Sequence, residues 1–151
     1  MKSFFCFLLL SFSLVCSSFA QADKGKDDAL TFIGTSSGSV LYNSHLVIGL
    51  TADGLANKVY EADVASELTA EQISLLENFV NQLVALRSSG FLTNNDDLSF
   101  CNDIINTAGL VKKEAELLKR YVDTQSDADA DKYTSANEEA WNSLSTLLGL
   151  E

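Results

Sequence analysis

Residues 97–123, DLSFCNDIINTAGLVKKEAELLKRYVD, decide the fold. Leu98, Cys101, Ile104, Ile105, Ala108, Val111, Ala115, Leu118 and Val122 recur at spacings of three and four, which puts them on one face of a helix. Leu110, Leu117 and Tyr121 widen that face. Lys112, Lys113, Glu116, Lys119 and Arg120 take the opposite side, with Glu116 four residues before Arg120 in the favourable order. So wide an apolar stripe needs a partner on each flank. The segment reads as an inner wall of a helical bundle.

Towards the C-terminus, residues 126–131 read as a short acidic connector. Tyr133, Ala136, Asn137, Ala140, Trp141, Leu144 and Leu147 then form the face of a last helix, stopped by Gly149. Towards the N-terminus, Thr69 and Gln72 fit a capping box, and Leu68 and Ile73 stand where a hydrophobic staple would. This predicts a helix that starts at Thr69, carries Ile73, Leu76, Phe79, Val80, Leu83, Val84 and Leu86 on its face, and ends at Gly90. Phe91 and Leu92 in the next turn are expected to fold inward. A first helix is predicted over 40–66, from Leu41, His45, Ile48, Ala52, Leu55, Val59 and Ala62. Gly49 and Gly54 each lower its helicity by roughly 1 kcal/mol relative to Ala, so a break near Asp53-Gly54 is the alternative.

Four helices with short connections predict an all-α, up-down-up-down four-helix bundle over 40–151. The chain contains no proline, in keeping with long unbroken helices. Before the bundle, residues 1–20 read as a cleaved secretory signal peptide. Lys2 gives the positive start, Phe4 to Val15 the apolar run, and cleavage falls near Ala20 or Ala22. The expected location is therefore secreted or periplasmic, with no membrane insertion once the signal is gone. Residues 21–39 read as a flexible or extended arm.

The whole chain has 10 Lys+Arg against 21 Asp+Glu, a net charge of −11, and losing Lys2 with the signal takes it to −12. Such a charge opposes nucleic acid and anionic membranes. Cys6 and Cys16 leave with the signal, so Cys101 has no internal disulfide partner and the core must hold the fold.

The sharpest chemical pattern is a calcium loop. Asp127, Asp129, Asp131, Tyr133, Ser135 and Glu138 occupy positions 1, 3, 5, 7, 9 and 12 of a twelve-residue EF-hand-like loop, which would supply the six to eight oxygens calcium takes. Lys132 stands where that loop needs glycine. Helix capping by Asp127 and Asp129 explains the same residues more simply. A second pairing comes from counting back along alternating helices: His45 and Cys101 fall at the same level, though on diagonal helices. Glu114, Arg87 and Asp63 read as polar groups snorkelling at the core boundary.

Several chemistries lack their residues. One His without Glu-x-x-His argues against a di-iron bundle, and no Cys-x-x-Cys-His is present for attached haem. No phosphate-cradling glycine loop or Gly-x-Ser-x-Gly occurs. The sequence therefore predicts no enzyme and no cofactor other than calcium. It predicts a protein that binds another protein as adaptor or scaffold, with Tyr42, Val47, Leu50 and Tyr60, off the main stripe of the first helix, as the interaction surface.

Overall fold

The computed structural model describes the backbone of residues 2–150 and the side chains of residues 24–150. Four helices follow one another: α1 Lys2–Ala56, α2 Ala62–Ser88, α3 Asn95–Thr124 and α4 Asp127–Leu148. No strand occurs among the described residues. The side chains of the proposed signal segment lie outside the described residues. Among those described, no helix is long and apolar enough to cross a membrane.

The chain divides into two compact units, Met1–Ser36 and Ser37–Glu151. In the first unit, residues 24–36 are helical and not the extended arm their Gly and Ser content suggests; Phe32 is exposed. The second unit is the bundle. Its core gathers Leu41 and Ile48 of α1, Leu76 and Leu83 of α2, Ile104, Val111, Leu118 and Val122 of α3, and Leu144 of α4. The periodic positions of α3 read from sequence supply the largest share, because that helix packs against both α2 and α4.

Two boundaries differ from the sequence expectation. α1 ends at Ala56, so the break near Gly54 prevails over a helix reaching Ser66. Lys58 adopts the left-handed conformation with φ 57°. Its N–H reaches the Leu55 carbonyl at 3.0 Å while the Val59 N–H reaches the Gly54 carbonyl at 2.8 Å, which together form a Schellman ending. The Tyr60 ring then folds onto Gly54 and fills the space a Cβ there would need. Hence glycine at this position.

The second difference is the start of α2. It begins at Ala62, with Glu61 as an N-cap that makes no side-chain cap bond. Thr69 and Gln72 are interior to the helix: the Thr69 hydroxyl donates to the Ala65 carbonyl, and the capping box does not form. α3 and α4 start more conventionally, with Asn94 accepting from the Asp97 N–H and Ser126 from the Asp129 N–H.

Candidate functional site

The expected calcium loop does not exist as a loop. Asp127, Asp129, Asp131, Tyr133, Ser135 and Glu138 all lie within α4. At 100° per residue, alternate positions fall on nearly opposite sides of a helix, so these six cannot enclose one point. Asp129 turns instead to the α3–α4 junction. It receives Arg120 Nε and Lys132 Nζ, each at 3.0 Å, and the hydroxyls of Thr124 at 2.9 Å and Ser126 at 3.0 Å. The Lys132 and Thr124 contacts do most to hold its carboxyl well below the usual carboxylate range. Ser135 donates to the Asp131 carbonyl within α4. Among the described residues, no three His, Cys, Asp or Glu converge where they could hold a metal ion.

His45 and Cys101 also part company. The Cys101 thiol faces the Leu83 carbonyl at 3.8 Å, and burial pushes its pKa up, partly opposed by the Arg87 guanidinium. His45 meets Glu114. Its Nδ1 lies 2.9 Å from Glu114 Oε2, and Asn137 Nδ2 donates to Glu114 Oε1 at 2.8 Å. Glu114 is 0% exposed, so the snorkelling expectation is wrong for this residue. A buried carboxylate persists only where its lone pairs are taken up. Here an imidazole from α1 and an amide from α4 take up both oxygens.

Trp141 covers the imidazole, with ring centroids 5.5 Å apart and planes inclined by 22°. Tyr42 leans on Trp141 at 6.5 Å. Trp141, read as a core residue, is thus a half-exposed lid over the buried pair. Tyr133 is raised far above the usual phenol range, by burial first and then by the Glu114 and Asp53 carboxylates.

The outward side of α1 is apolar. Tyr42, Leu46 and Leu50, spaced by four, are 41%, 45% and 55% exposed. Of the expected surface residues, Tyr42 and Leu50 belong to this stripe. Val47 is half-buried in a groove against α2, and Tyr60 sits in the α1–α2 turn. Sequence reasoning missed Leu46, although its spacing from Tyr42 and Leu50 was the signal. Phe91, expected inward, is partly exposed, while Leu92 is buried as expected. Arg87 reaches across to Asn102 Oδ1 at 2.8 Å. No known protein family, characterised protein or solved structure matches the chain.

Proposed function

We propose that this is an exported, up-down-up-down bundle that acts by binding another protein and not by catalysis, and that the outward face of α1 is its docking surface. The carrying observation is the stripe of Tyr42, Leu46 and Leu50, exposed together on one helix and bordered by Trp141 through its contact with Tyr42. Isolated surface apolar residues are ordinary, whereas a stripe of large ones with an aromatic border is what a partner covers. The net charge, −11 for the whole chain and −12 without the leader, favours a partner whose apolar centre is rimmed by Lys or Arg.

The test places a photo-crosslinking residue at Leu46 in the full chain expressed in its own cells. A discrete crosslinked protein that disappears in Leu50→Asp, with helicity and Tm unchanged, supports this surface. Equal crosslinking in Leu50→Asp rejects it. Amino-terminal sequencing of the exported chain, expected to start at Gln21 or Asp23, tests the leader.

A further inference from the structure

A groove of about 270 Å3 runs between α1 and α2, lined by Val40, Ser44, Val47, Gln72 and Leu75 together with Ser39 and Asn43. Val40, Val47 and Leu75 supply its apolar surface, and its polar atoms are unevenly served. Asn43 Nδ2 donates to the Ser39 carbonyl at 2.8 Å. Ser44 Oγ and Gln72 Oε1 are buried and have no hydrogen-bond partner.

The Ser44 hydroxyl is the anomaly. A hydroxyl inside a helix ordinarily donates to the carbonyl one turn back. Thr51, Thr69, Thr134 and Ser135 of this chain all do so. Ser44, only 2% exposed, does not. A buried hydroxyl left unpaired is costly, and so is a buried amide oxygen. A wider cleft of about 470 Å3 between α3 and α4, lined by Phe100, Asp103 and Thr107, shows the contrast: its Thr107 and Ser143 hydroxyls bond each other at 2.8 Å.

We infer that the α1–α2 groove is a binding site for a small amphiphile, an apolar body carrying one hydroxyl, in the size range of a simple phenol. A hydroxyl both accepts and donates, so one such group can answer both orphan atoms. Its oxygen accepts the Ser44 proton and its own proton goes to Gln72 Oε1. Val40, Val47 and Leu75 flank the apolar body. Water could offer the same two bonds, but it would leave the apolar flanks of Val40, Val47 and Leu75 unmatched. The inference is independent of the docking stripe, because Tyr42, Leu46 and Leu50 do not line the groove.

The probe is p-cresol, with toluene as its hydroxyl-free counterpart, titrated into the 15N-labelled protein. The expected result is saturable movement of the amides of Ser44, Val47, Gln72 and Leu75 by p-cresol, with toluene at least about tenfold weaker. Ser44→Ala should erase that preference and, by removing an unpaired buried hydroxyl, raise Tm. Leu50→Asp should leave p-cresol binding unchanged. No saturable movement, equal binding of the two probes, or a lowered Tm in Ser44→Ala would each overturn the assignment.

Discussion

Ser44 and His45 are consecutive residues of α1, about 100° apart around that helix, and they meet different neighbours. His45 turns towards α3 and α4, where Glu114 and Asn137 complete its bonding and Trp141 covers its ring. Ser44 turns towards α2, where Gln72 is near and nothing completes either group. One side is a closed polar cluster inside an apolar core. The other is a half-built one with an open groove above it. Burial alone therefore does not distinguish structural from receptive polar groups. The state of their hydrogen bonds does.

Substitutions on the two sides should move stability in opposite directions. Glu114→Ala strands His45 and Asn137 together and opens a cavity, and should cost about 3–5 kcal/mol in denaturant unfolding. Its failure to destabilise would dissolve the contrast. Asn137→Ala removes one donor to a buried carboxylate and should cost about 1.5–3 kcal/mol. Ser44→Ala should instead gain up to about 1 kcal/mol, since only an unpaired hydroxyl is lost.

Asp129 offers a pH version of the closed case. Its carboxyl is held below the usual range by Lys132, Thr124, Ser126 and Arg120. Its contribution is therefore fully present above the ordinary carboxylate pKa of about 3.9 and is lost as pH falls below it. Tm measured from pH 6 downward should fall more steeply in the parent chain than in Asp129→Asn. The smallest effect expected is none at all: with 127–138 wound into α4, millimolar calcium should give no saturable heat.

The core of α3 was legible because its pattern is local. Cys101, Ile104, Ala108, Val111, Ala115, Leu118 and Val122 recur with the helical period, and all are buried. The α1–α2 junction was not, because its determinants contradict local rules. Lys58 holds a left-handed position that usually takes glycine, and Glu61 caps α2 without a side-chain bond, whereas Thr69 and Gln72 imitate a start that does not exist.

That misplaced turn also hid the site. Counted from a helix ending at Ser66, His45 stands level with Cys101. Counted from the observed ends, His45 lies 11 residues before Ala56 and Glu114 lies 10 before Thr124. Asn137 and Gln72 each lie 10 residues after the starts of α4 and α2. In an up-and-down bundle the same arithmetic, with the observed boundary, brings His45, Gln72, Glu114 and Asn137 to one level. No local pattern announces Glu114, whose imidazole partner is 69 positions away.

Cys101 has a practical consequence. Its sulfur rests inside the bundle against the Leu83 carbonyl, and its surroundings disfavour the thiolate that alkylating reagents attack. Modification must wait for α2 and α3 to separate. Were the leader removed as proposed, taking Cys6 and Cys16 with it, no other thiol would compete, and the speed of alkylation would serve as an internal stopwatch for the opening of the bundle, needing neither dye nor tag.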